Sequence, residues 1–466
     1  AYELAPRAFW YPEGEIGLTS ADFGSAITAI RSRAFYGNSF IENITVGNSL
    51  GVIESEAFIG CIALKSFAFA GSSVDEIGAN AFESCSSLAT VAFTGGATVG
   101  KIGQAAFNNC TALTGIALPE GLTTIGNSAF GNCRSMKTVS FPSTLVSIGT
   151  YAFNGCASLA KAALPQNLTE IPYGAFMGCA SLETVTASDK LAVLDNGAFS
   201  GCSLLKNFYY GGAGNLIISR YAFLNCSSLQ SFAVAPGTVA IDEGAFSGCT
   251  SLRSVEAKSA DLKEIGSSAF SDCTSLATLN IKNSGLTAIG DYAFANCTSL
   301  ANFAAPTSLV GIGSYAFSGC SSLGTALIDG NLAYLGVYAF TGCTSLERVE
   351  FNAADGLTVP AGAFSGCRTL RSIEIPEGVN AVAMQAFGGC SSLTSVKFPI
   401  SLLTIGERAF DSCSSLAEVT IPSNVTVIGA YAFYGCNSLS SLEIQSKSAD
   451  ISEYSFMSCT ALKNAR

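Results

Sequence analysis

The chain has 466 residues, of which 49% are hydrophobic and only 12% charged, with a formal net charge of −11. An acidic chain without a Lys/Arg cluster argues against nucleic acid, which needs a basic face, and no apolar run approaches the ~20 residues of a membrane-spanning helix. With no histidine, the Ser-His-Asp and Cys-His mechanisms and His-based zinc sites fall away.

Residues 1–29 hold the single tryptophan, Trp10, within Phe9-Trp10-Tyr11-Pro12. The segment lacks the charged start and apolar core of a signal peptide. Leu4-x-x-x-Ala8-Phe9 reads as a degenerate copy of the repeat that begins in full at Ala34, so these residues are expected to form an N-terminal capping repeat.

From Ala34 onward an Ala-Phe pair returns every 23 residues, stretched in places to 24 or 25. Ala57, Ala81 and Ala106 continue the series to Ala432, and Ser455-Phe456 closes it as the nineteenth unit. All 18 cysteines stand three residues after the Phe, from Cys61 to Cys459. Only the first full unit departs, with Asn38 in the cysteine slot. Leu or Met follows three residues after each Cys, then a V-x-I step, often Pro, then Ile-Gly and the next Ala-Phe.

The V-x-I step has the period of two of a strand with one buried face, and Pro ends it because it has no N–H for the ladder. Ile-Gly marks a second short extended segment and a turn. The segment x-x-A-F-x-G-C is too short for a full helix and is expected to form a single helical or 3₁₀ turn. A unit of 23 residues cannot close a core alone, whereas stacked units cover one another.

Zinc needs clustered ligands such as C-x-x-C, and the chain has none. Disulfides need Cβ atoms ~3.8 Å apart, closer than equivalent positions one rung apart. A nucleophilic thiol needs a basic neighbour, but Ser, Thr, Gly and Asn surround these cysteines. The cysteines therefore read as small core side chains beside a stacked Phe spine. Gly311-Ile-Gly313-Ser-Tyr-Ala316 mimics a dinucleotide fingerprint but sits on the repeat frame without a βαβ context. Asn109-Cys-Thr and Asn296-Cys-Thr are likewise by-products of the repeat, and Asn43, Asn167 and Asn424 begin further formal sequons.

The long signature A-F-x-x-C-x-x-L-x-x-V-x-I-P over residues 30–466 resembles the BspA-like leucine-rich repeat family. The resemblance implies an α/β repeat solenoid, one continuous right-handed superhelix of about 19 repeats. A parallel β-sheet would line its concave side, with short extended and helical-turn pieces on the convex side. It also implies a secreted or surface-attached protein without catalytic activity or cofactor, engaged in adhesion. The expected partner is a protein or glycan, host surface and extracellular matrix included. The alternative is a structural spacer that displays another domain and binds nothing itself.

On that reading the residues alternating with the buried strand positions face the concave side. Early units offer small side chains there, such as Ser66, Ala68, Thr90 and Ala92. Tyr209 comes next, within Phe208-Tyr-Tyr-Gly-Gly-Ala-Gly214, and then larger polar and charged side chains appear: Glu256, Lys258, Asn280, Lys282, Arg348, Glu350, Glu374 and Lys397. Tyr209 to Lys397 is therefore the candidate ligand-contact zone. Tyr292, Tyr315 and Tyr338 precede Ala in three successive units and define a candidate lateral aromatic stripe. The last residues read as an open edge strand, which predicts that the natural chain runs on or self-associates end to end.

Overall fold

The computed structural model describes residues 2–10, 17–212, 214–257 and 260–465. It falls into two compact units, Ala1–Leu229 and Gln230–Arg466, each a stack of β-coils of the same construction. Between the ends of the stack the described coils each contribute two short strands, one to each of two rows of parallel pairing that are interrupted into separate sheets. In the first unit, Gly115–Ala117 pairs with Thr138–Ser140, and Thr124–Ile125 with Ser147–Ile148. In the second, Glu418–Ile421 pairs with Ser441–Ile444, and Val427–Ile428 with Asp450–Ile451. The register advances by one repeat, so like residues meet: Ile116 lies opposite Val139, and Val419 opposite Leu442.

This arrangement follows from the spacing of apolar residues. In the coil around Phe130, the side chains of Leu113, Ile116, Leu118, Leu122, Ile125, Ala129, Phe130 and Cys133 are all buried. The rings of the Ala-Phe pairs stack from coil to coil. Phe35 lies 4.8 Å from Phe58 in the first unit, and Phe317 lies 5.0 Å from Phe340 in the second. The glycine of Ile-Gly serves close approach. A Cβ on Gly313 would meet the Asp291 backbone nitrogen of the preceding coil at 2.5 Å, which accounts for the false dinucleotide fingerprint.

The expected helical turn is absent. Among the described residues there is no α-helix or 3₁₀-helix, so the chain is a parallel β-solenoid rather than α/β. In every repeat from Ala34 to Ser455 the residue before that Ala or Ser and the residue before the cysteine slot both have positive φ. Tyr315 and Gly319 have φ of 55° and 71°, and Ala105 and Asn109 have 51° and 60°. A helix needs φ near −60° throughout, and two left-handed residues four apart forbid it. This is why Gly, Asn, Ser or Asp precedes the cysteine. The turn instead bonds along the stack: Glu56 N–H donates to Ala79 O at 2.9 Å, Phe58 to Ala81 at 2.7 Å and Gly60 to Glu83 at 2.8 Å.

All 18 thiols are free and buried, and they do more than fill space. Cys61 Sγ donates to Phe35 O of the preceding coil at 3.0 Å, and Cys320 Sγ to Phe294 O at 3.1 Å. That carbonyl also accepts a backbone N–H from its own coil, as Phe294 O does from Cys297 N at 3.1 Å. Asn38 keeps the bond where cysteine is missing, for its Nδ2 donates to Phe9 O at 2.8 Å. Phe9 in turn stacks on Phe35 at 4.6 Å, and Arg7 carries the left-handed φ of 58°. The N-terminal copy is therefore a coil of the same kind, with Trp10 exposed beside it.

Candidate functional site

The repeat frame consumes the Leu, Val, Ile, Ala, Phe and Cys positions in packing. Residues free to serve a ligand stand on the solvent face of the V-x-I sheet and on the turns. In the first unit that face is built mostly of short side chains, with Lys161 standing between Thr138 and Thr184. Ala68 lies opposite Ala92, Ala117 opposite Ser140 and Ala163 opposite Thr186. Tyr209, in strand Asn207–Tyr210, is opposite Thr186 and 56% exposed, so its ring rises above this floor.

The remaining candidates belong to the second unit, where the structure sorts them into local groups. Glu256 lies between Ala233 and Asn280 on adjacent strands and is half-buried. Lys258 lies outside the described residues. Lys282 Nζ is 3.7 Å from Asp329 Oδ2. Arg348 Nε donates to Glu350 Oε1 at 2.7 Å within one strand. Glu374 and Lys397 face each other across the ladder and form an ion pair of 2.5 Å. The Glu374 carboxylate holds the Lys397 ammonium above its ordinary value. Such exposed pairs contribute little to stability.

Two depressions open among these strands. One, of 720 Å³, lies between strands Arg348–Ala353 and Ser372–Glu374 and is lined by Glu347, Arg348, Glu350, Arg371, Glu374 and Glu377 among others. The other, of 410 Å³, lies between Ser395–Lys397 and Glu418–Ile421 and brings Phe398, Ile400 and Pro422 together with Lys397 and Glu418. Glu347, Glu377, Arg371 and Ile400 escaped the strand-alternation rule because they stand at strand entries and on the loops after Pro. Ile400 had a signal: it is 62% exposed in a slot that holds Ser143, Glu377 or Ser423 in other coils.

The tyrosine stripe exists, but its rings face one another. Tyr292 and Tyr315 stack at 4.9 Å and 1°, and Tyr315 and Tyr338 at 5.1 Å and 17°. The ladder ends where Tyr338 lies over Gly362, whose added Cβ would come 2.1 Å from the ring. Stacking leaves mainly edges to solvent, which suits packing better than capture of a flat ligand. Among the described residues no group of His, Cys, Asp and Glu is arranged to hold a metal ion, and no helix is long and apolar enough to cross a membrane.

Stacked parallel coils with an apolar V-x-I sheet and a repeating Leu define a leucine-rich repeat protein. The profile of the BspA type leucine rich repeat region matches residues 13–99, 92–206, 216–347 and 338–463, and the chain belongs to that family, whose members are typically non-catalytic. Among solved structures, a leucine-rich repeat protein of Bacteroides ovatus is 24% identical, with 91% of this chain and 82% of that one covered, at a TM-score of 0.41. A leucine rich cell surface protein of Faecalibacterium prausnitzii is 22% identical over 90% and 83% of the two chains, with a TM-score of 0.37. A leucine-rich repeat protein of T. pallidum reaches 30% identity over 35% of this chain and 77% of its own, with a TM-score of 0.31. No curated protein matches the chain.

Proposed function

We propose that the protein is a non-enzymatic binding module displayed outside the cell, and that it recognises a protein or glycan through the solvent face of its V-x-I sheet. The observation that carries this reading is where the variation lies. The packing residues repeat from coil to coil, whereas the sheet face changes from mostly small side chains, with Lys161 among them, to many charged groups beside two depressions. Scaffolds of stacked repeats use such surfaces for recognition. What supports an extracellular setting is membership of the BspA-type family.

The test is an array of glycans and extracellular-matrix proteins probed with the purified chain. A ligand whose binding is lost on changing Glu256, Lys282 and Arg348 together supports recognition by the second unit's face. Loss on changing Tyr209 alone places it on the first unit's face. An array without any hit favours a spacer and contradicts the proposal.

A further inference from the structure

We infer that the sheet face of the second unit between Arg348 and Gln445 takes an extended peptide segment of a partner protein. The segment carries a Lys or Arg three residues away from an apolar side chain. This rests on the binding-module reading above and gives that reading a ligand class.

Two openings along one row of strands carry the argument. Among the described residues no ladder pair joins Arg348–Ala353 to Ser372–Glu374; the sheet ends on one side and begins again on the other. The entry bond is missing there too. Glu347 N–H donates to Gly324 O at 2.9 Å and Thr394 N–H to Arg371 O at 2.8 Å, but Arg371 N–H makes no such bond to Glu347. Two strands further on, the ladder from Ser395–Lys397 to Glu418–Ile421 keeps the single pair Ser395–Glu418. Val396 and Phe398 are half-exposed at this opening, whereas their equivalents Ile373, Ile375, Val419 and Ile421 are buried.

The openings differ in chemistry. The first is rimmed by Glu347 and Glu377, the second by apolar Phe398, Ile400 and Pro422 beside Glu418. Over both, the carboxylates of Glu347, Glu350, Glu374, Glu377 and Glu418 outnumber the cations Arg348, Arg371 and Lys397. Arg348 and Lys397 are already held by Glu350 and Glu374. A cationic group therefore complements the first opening, and an apolar group fills the second.

Spacing selects the peptide. Neighbouring strands lie ~4.8 Å apart, so openings two strands apart are separated by about 10 Å. A polyproline II chain advances ~3.1 Å per residue, so side chains three residues apart reach both openings when the peptide crosses the strands. Its backbone is fully solvated and largely pre-ordered, which lowers the entropy lost on binding.

The test uses fluorescence polarisation with the full chain and labelled Pro-rich nonapeptides. These carry Arg and Leu three residues apart in either order, one residue apart, or with Glu replacing Arg. The three-apart cationic peptide should bind at least tenfold more tightly than the other two kinds. Ile400→Ser and Glu347→Gln/Glu377→Gln should each weaken it at least fivefold with unchanged circular dichroism, since Ile400 and Glu347 are exposed. Equal affinity for all peptides, indifference to both variants, or no binding at 1 mM overturns the inference. A protein or glycan array hit that survives those results leaves the binding-module reading standing, whereas an empty array removes both.

Discussion

Gly366 offers a test of the coil architecture in which the sign of the effect decides. It precedes Cys367 and has a φ of 74°. A Cβ built there meets nothing closer than Gly342 N at 3.8 Å, so Gly366→Ala introduces no clash and reports backbone conformation alone. In the left-handed region an L side chain costs about 1–2 kcal/mol. The reduced freedom of the unfolded chain returns about 0.5 kcal/mol, leaving a loss of roughly 1 kcal/mol. Gly366→Asn should be nearly neutral because Asn tolerates this region, and Gly366→Val should cost most because it is β-branched. In a helical turn the order reverses, for Ala is then better than Gly by about 1 kcal/mol. The measurement is the urea midpoint by circular dichroism, with amide exchange of the Phe364 coil as a local readout, since stacked repeats need not unfold in one step. An alanine variant more stable than the parent would refute the left-handed turn.

Two further outcomes test the interior. Phe317 is fully buried, with ring centroids 5.2 Å from Phe294, 5.0 Å from Phe340 and 4.5 Å from Phe303; Phe317→Ala should cost about 3–5 kcal/mol, and an unchanged melting curve contradicts the aromatic spine. Burial pushes the thiols of Cys320 and Cys390 up to about 12, against about 8.5 in an unfolded chain. Below about 8.5 both states keep the proton and the stability is fully present. Between there and about 12 only the unfolded chain releases it, so each such thiol removes about 1.4 kcal/mol per pH unit. The urea midpoint, measured under reducing conditions, should fall steeply above pH 8.5, and a flat profile to pH 10 contradicts thiols held in the dry interior.

The fold was legible because the same evidence was written many times over. Leu113, Ile116, Phe130 and Cys133 occupy slots that return in coil after coil, so one chance residue such as Asn38 could not hide the period. The helical-turn expectation failed for a physical reason: Tyr, Arg, Gln and Ser together precede the motif Ala or Ser in 12 of the 19 repeats and Gly in only four, and none of those four residue types announces a positive φ. Only the Gly, Asn, Ser and Asp slot before cysteine carries that signal, and it runs against the helical or 3₁₀ turn that the length of the segment suggests.

The candidate site is harder to read for the opposite reason. A ligand surface is encoded by residues that differ from coil to coil, and a difference occurs once. Alternation placed Glu374 and Lys397 on the exposed face, where they pair, but it said nothing of where a ladder opens. The Ser395–Lys397 coil carries V-x-F-P where its neighbours carry I-x-I-P and V-x-I-P; the other V-x-F-P, Val139–Pro142, likewise keeps a single ladder pair, Thr138–Lys161, but only at the later coil do both Val396 and Phe398 surface. The repetition that makes the scaffold stable also hides its exceptions, and recognition on this face has only those exceptions to use.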